Sequence, residues 1–115
     1  MKILVVANTS LEILARRKLL EACRDLGSSI YIASNIKEAD VQVLEDIGIT
    51  SFFLSFSPRS KNPLKDLKLY FSYRNICKKL QPDIILSFHI KPNIYCGFVA
   101  KRLNIPFVAN VTGLG

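Results

Sequence analysis

DIILSFHIKPN, residues 83–93, sets an aliphatic run against the chain's single histidine, a lysine and a proline. The run is short, rich in isoleucine and leucine, and preceded by Pro82. Those are the marks of a buried strand rather than of a helix segment. Pro92 fits the first turn of a helix, where its missing N–H costs nothing. A strand that ends on His89 and Lys91 and turns straight into a helix is one βα unit. The fold follows if the rest of the chain repeats it.

The repeat is visible on both sides. Lys2–Ala7 (KILVVA) reads as a first buried strand, and Asn8, Thr9 and Ser10 offer caps for a helix over Leu11–Leu26 that stops at Gly27. Ser29–Ser34 is a second strand and Lys37–Ile47 a short helix stopped by Gly48. Thr50–Phe56 is a third strand, and Ser57–Asn62 is a polar loop broken by Pro58. Pro63 opens a long helix to Leu80. Asp83–Ser87 is the fourth strand, Pro92–Leu103 a helix broken at Asn104, and Pro106–Asn110 the fifth strand. Strict alternation with continuous aliphatic strands predicts an α/β fold, a Rossmann-like doubly wound parallel sheet with helices on both faces. The expected strand order is 3-2-1-4-5, which places the switch point between the first and fourth strands. Asn8–Ser10, Ser87–Lys91 and Val111–Gly115 then line one crevice.

At 115 residues, the chain is expected to form a single domain, 1–115. Half of the residues are hydrophobic, which argues against disorder. Cys23, Cys77 and Cys96 are odd in number, far apart and without a C-x-x-C, so neither a disulfide framework nor a zinc site is expected. Each falls in a helical pattern, where a small buried hydrophobe is the ordinary reading. No aliphatic run approaches the roughly 20 residues of a membrane span. A cytoplasmic protein, with peripheral contact to the inner membrane face as an option, is the expectation.

The net charge of +7 is concentrated. Arg59, Lys61, Lys65, Lys68, Arg74, Lys78 and Lys79 lie between Pro58 and Leu80, with Asp66 as the one acid among them. At 100° per residue, Leu69, Tyr70, Tyr73, Ile76, Cys77 and Leu80 form the core face of that helix. Leu64, Leu67 and Phe71 form a second apolar stripe bordered by Arg74 and Lys78. Two readings account for it. The stripe packs under the Ser57–Asn62 loop, or it meets a membrane surface with the lysines over anionic lipid. Nucleic acid is disfavoured, since no recognised motif accompanies the charge.

Several chemistries are excluded by what stands after the strands. No G-x-G-x-x-G follows the first strand, which disfavours a dinucleotide cofactor. No P-loop, carboxylate dyad, histidine pair or cysteine cluster is present, so no metal and no self-contained hydrolase is expected. Hydroxyls, backbone amides, one histidine and one lysine remain, a set suited to an anionic or polyhydroxylated ligand.

Taken together, KILVVANTS, NPLKDLKLYFSYRNICKKLQPDII and HIKPNIYCGFVAKRLNIPFVANVTGLG resemble the N-terminal domain of family-4 GT-B glycosyltransferases. The nearest subgroup makes bacterial surface polysaccharides (lipopolysaccharide, capsule) and lipid-linked oligosaccharides. The resemblance implies one half of a two-domain cleft enzyme, the half that receives the acceptor, often a polyprenyl-phosphate-linked sugar. The donor-binding domain for the nucleotide-sugar has no counterpart in these residues, so the chain is expected to be truncated after Gly115 and inactive alone. No cofactor is implied. Carried over by position, Asn8, Thr9, His89, Lys91, Asn93, Thr112 and Gly113 would face the cleft. Relatives carry an aromatic and then N-F-R in the first loop; here the run is Leu11–Arg17, and either Arg16 or Arg17 corresponds.

Each of these residues also has an ordinary structural reading. His89 bonds nearby backbone at a strand end, Lys91 is solvated, Asn8 and Thr9 cap a helix, and Thr112-Gly113 is a turn. Three functions are therefore carried forward: the acceptor half of a retaining transferase, half of a two-chain transferase, or a non-catalytic module for anionic lipid or a phosphorylated ligand using Arg59, Lys61, Leu64, Lys65, Leu67, Lys68, Phe71, Arg74 and Lys78.

Overall fold

Aliphatic strands that bury both faces pair in parallel, and five do so here in the order β3-β2-β1-β4-β5. The computed structural model describes residues 1–9, 16–55, 59 and 61–110. The strands are β1 (Lys2–Thr9), β2 (Ser29–Asn35), β3 (Thr50–Phe53), β4 (Ile84–Phe88) and β5 (Phe107–Asn110). Every pairing is parallel, and β1 is central, with Val6 opposite Ala33 of β2 and Ser87 of β4. The doubly wound sheet and its order match the expectation.

The helices are α1 (Arg17–Asp25), α2 (Glu38–Asp46), α3 (Pro63–Leu80) and α4 (Gly97–Leu103), the last entered through a π-helical turn at Pro92–Cys96. Alternation along β1 divides the core. Ile3, Val5 and Ala7 pack with Leu20 and Leu44 on the α1/α2 face, while Leu4 and Val6 pack with Leu69, Tyr73 and Val99 on the α3/α4 face.

Local signals place most boundaries. Gly27 and Gly48 take left-handed φ of 96° and 79° just past their helices, which only glycine adopts without strain. Asn62 caps α3 by accepting from the Leu64 N–H at 3.0 Å, and Pro63 follows as the first helical residue. The core face of α3 is as read from its periodicity: Leu69, Tyr73 and Cys77 are buried.

The first helix is described from Arg17 onward; the expected start at Leu11 and its cap at Ser10 lie outside the described residues. Other boundaries differ: β1 runs two residues past Ala7, to Thr9. β3 ends at Phe53 instead of Phe56, because the Leu54 N–H makes its bond to the Ser34 carbonyl just as β2 runs out. β4 is shifted one residue later, because Asp83 is spent on the chain's start: its carboxylate accepts from the Lys2 N–H at 2.7 Å. Pro106 has no N–H to give a ladder, so β5 begins at Phe107, although the Pro106 carbonyl still accepts from Ile85. Among the described residues no helix is long and apolar enough to cross a membrane.

Candidate functional site

The carboxyl ends of β1 and β4 lie side by side, and the residue after β4 meets the end of β1. The Asn8 backbone N–H donates to His89 Nδ1 at 3.4 Å. With Nδ1 accepting, the ring proton of neutral imidazole sits on Nε2. His89 itself has a left-handed backbone, φ 78°, a conformation that costs a non-glycine residue about 1–3 kcal/mol. Strain of this kind persists where surrounding contacts over-determine it, as they do here: the His89 carbonyl accepts from the Asn93 N–H at 3.0 Å.

A carboxamide ladder extends this corner to β5. Asn93 Nδ2 donates to the Asn110 carbonyl at 3.1 Å, and Asn110 Nδ2 donates to the Ser87 carbonyl at 3.2 Å. Both amide orientations are thereby set. The buried Oδ1 atoms of Asn8 and Asn93 then find no hydrogen-bond partner among the described residues. Buried acceptors without donors are uncommon in folded proteins. Two of them lie at the switch point, which makes this corner the candidate site.

Lys91 is not a lone cation. Its ammonium pairs with Asp66 Oδ1 at 2.8 Å, and the Tyr95 hydroxyl donates to the other carboxylate oxygen at 2.9 Å. The side chains of Lys91 and Asp66 are 13% and 20% exposed. The Lys91 ammonium, and then the Tyr95 hydroxyl, hold the Asp66 carboxyl below the usual carboxylate range. The same bond raises the Tyr95 phenol. The ordinary reading of a solvated lysine therefore does not apply.

Of the two candidate arginines, Arg16 is the one that contacts β4. Its guanidinium carbon lies 4.1 Å from the Phe88 ring centroid, at the carboxyl end of β4, a cation–π contact. Arg17 instead bonds Glu21 one turn along α1, at 2.7 Å. Thr9 pairs in register with Asn35 at the end of β2, past an irregularity after Val6. Thr112 and Gly113 lie outside the described residues. Asn8, His89, Lys91, Asn93 and Arg16 thus gather around β1 and β4, and Arg17 does not join them.

On α3 the second apolar stripe is open. Leu64, Leu67 and Phe71 are 74%, 52% and 45% exposed; half of the loop expected to cover them lies outside the described residues. Arg59, Lys61, Lys65, Lys68 and Lys78 are exposed around them, and Arg74 is half-buried. Sequence reasoning missed two features. One is the role of Asp66, the single acid of the basic helix. The other is a second set of exposed apolar residues, Ile90, Ile94 and Phe98, whose spacing of four was legible but unused. Among the described residues no cluster of histidine, cysteine or acidic side chains is arranged to hold a metal.

The parallel order, with a crevice at the switch point, defines a Rossmann-like domain of the kind found in GT-B glycosyltransferases. The MurG structure from Acinetobacter baumannii superposes with a TM-score of 0.72 at 19% identity, covering 96% of this chain and 33% of that one. A glycosyltransferase from Rickettsia africae gives 0.71 at 23% identity, covering 94% and 28%. The UDP-GlcNAc 2-epimerase of Methanocaldococcus jannaschii gives 0.71 at 15%, covering 95% and 31%. An epimerase among them shows that the fold is shared beyond sugar transfer. The chain spans about a third of the length of each. No curated protein matches by sequence. A family model described as glycosyl transferase 4-like matches residues 2–115, and the chain belongs to that family.

Proposed function

We propose that this domain is the acceptor-binding half of a retaining glycosyltransferase. That enzyme would move a sugar from a nucleotide-sugar to a glycan acceptor carried on a polyprenyl phosphate. The observation that carries the reading is the corner where Asn8 bonds His89 and two buried carboxamide oxygens lack donors among the described residues, in a member of the glycosyl transferase 4-like family. Sugar hydroxyls supply the missing donors. His89 contributes an Nε2–H, and Arg16 a cation near the same strand end. Lys91, already neutralised by Asp66, positions the loop rather than binding charge by itself. Groups of this kind orient an acceptor and stabilise departing negative charge; they do not break bonds unaided. The donor-binding half belongs to a second domain or a second chain.

Sugar transfer to a polyprenyl-diphosphate-linked acceptor tests this directly. The chain alone is expected to give none, and the chain combined with a donor-binding domain of a related enzyme to give turnover. His89→Asn, which tolerates the left-handed backbone, is expected to lower that turnover about 10²-fold. Robust transfer by the chain alone would sink the half-enzyme reading. A second reading, contact with an anionic membrane surface through α3, draws on the exposure of Leu64, Leu67 and Phe71 among lysines.

A further inference from the structure

Two of the three cysteines meet in the core. All three are free thiols; Cys23 is half-buried, while Cys77 and Cys96 are buried. Cys77 stands on the core face of α3, and Cys96 closes the π turn that leads into α4. Both belong to the cluster that packs these elements against the sheet, and their side chains hydrogen-bond one another. Tyr73 is the third member, one turn before Cys77 on the same face of α3. Its hydroxyl is buried and finds no hydrogen-bond partner among the described residues. Burial first, and then Cys96 and Cys77, raise the phenol, so it keeps its proton beside both sulfurs. A buried polar group without a partner is uncommon in folded proteins. A thiolate on either sulfur would give this O–H an acceptor.

The two sulfurs are not equivalent. The hydrogen bond from Cys96 lowers the Cys77 thiol against the opposing effect of burial, and the same bond, with burial, raises Cys96. Negative charge therefore settles on Cys77, and Cys96 holds its proton. Access follows the same order. A cleft of about 300 Å³ opens between the ends of α3 and α4. Lys78, Gln81, Pro82, Leu103 and Ile105 surround it, and Cys77 forms part of its wall, whereas Cys96 does not. A small reagent that enters the cleft meets Cys77 first.

We propose that Cys77 and Cys96 are a peroxide-responsive thiol pair, with Cys77 the nucleophile, Cys96 the resolving thiol and Tyr73 the donor to the Cys77 thiolate. The Cys77 thiolate attacks one oxygen of a hydroperoxide and the O–O bond breaks. Cys77 becomes a sulfenic acid, and the departing oxygen takes up the proton that Cys77 released. The Cys96 sulfur then attacks the sulfenic sulfur, the S–O bond breaks, and hydroxide leaves as water with the Cys96 proton. The thiols give up two electrons and the peroxide accepts them, so one hydrogen peroxide yields one disulfide and two waters. The disulfide ties α3 to the π turn, which the Tyr95 bond to Asp66 already joins on the other side. The same turn carries Asn93 of the crevice, so oxidation fixes one wall of the candidate site. This assignment stands independently of the acceptor reading.

Treatment of the folded chain with a small excess of hydrogen peroxide at neutral pH tests this, with the remaining thiols blocked at intervals and the peptides mapped by mass spectrometry. A Cys77–Cys96 disulfide that dithiothreitol reverses is expected. It should form at least about tenfold faster than the more exposed Cys23 is modified, because reactivity follows thiolate character. In Cys96→Ala the sulfenic acid should persist on Cys77, where a cyclic 1,3-diketone captures it. In Cys77→Ala only Cys23 should react. Circular dichroism checks that both variants fold, and the peptide map of the parent decides the matter if either does not. Modification of Cys23 while Cys77 and Cys96 stay reduced would overturn the assignment. So would a disulfide that appears only at urea concentrations that unfold the chain.

Discussion

At the scale of single residues, the crevice depends on where a few polar atoms send their bonds. His89 was legible as a candidate because it follows a buried strand. Its strained backbone and its acceptance of the Asn8 N–H were not, because the partners lie 81 residues apart. Lys91 changed meaning most: paired with Asp66 and shielded, it is a structural cation at the site's edge. Because the Asp66 carboxyl is depressed in the folded protein, its contribution is present above the ordinary carboxylate range and is lost as pH falls through its lower folded value. Urea midpoints of the parent and Asp66→Asn should therefore differ at pH 7 and converge in strong acid. A difference that stays constant from pH 7 to pH 2 would contradict the pairing. The Tyr95 phenol runs the other way: raised by Asp66, it supports the pair until alkaline pH removes its proton.

Elements were more legible, because their signals are local. The cap at Asn62, the proline at 63 and the glycines at 27 and 48 act within one turn, and α3 occupies the span read from sequence. Two local features were not legible in the sequence. The π turn at Pro92–Cys96 left no mark in the apolar spacing. The end of α3 uses Gln81 in a left-handed conformation, φ 51°, directly before Pro82, where a side chain is doubly disfavoured. Replacing the exposed Gln81 with glycine keeps its N–H bond to the Cys77 carbonyl and removes that strain. The expected gain is about 0.5–1 kcal/mol after the greater unfolded-state freedom of glycine is deducted. Thermal unfolding should shift up by roughly 3–5 °C. No shift, or a lower Tm, would mean that the Gln81 side chain contributes more than its backbone costs.

For the whole molecule, the decisive quantity is the distribution of charge and apolar surface. The basic helix packs one face into the core and leaves Leu64, Leu67 and Phe71 exposed beside lysines. Such a face should associate with vesicles of anionic lipid at low salt and release as ionic strength rises. Charge reversal at Lys61, Lys65 and Lys68 should weaken flotation by more than 10²-fold, since each cation near an anionic surface is worth about 1 kcal/mol. Retention of binding in that variant would refute the electrostatic contact.

The sequence by itself determined the parallel sheet, its strand order, the buried face of α3 and the loops that reach the switch point. Strand burial, helix periodicity and caps are all written within a few neighbouring residues. Only the tertiary structure decided that Arg16 rather than Arg17 meets β4, that Asp66 neutralises Lys91, and that α3 and the segment into α4 flank a shallow, mostly apolar depression. Those contacts join residues 25 (66 to 91) and 72 (16 to 88) positions apart, or separate helices. Which of many possible partners a side chain meets is set by how the layers pack, and local pattern carries no record of it.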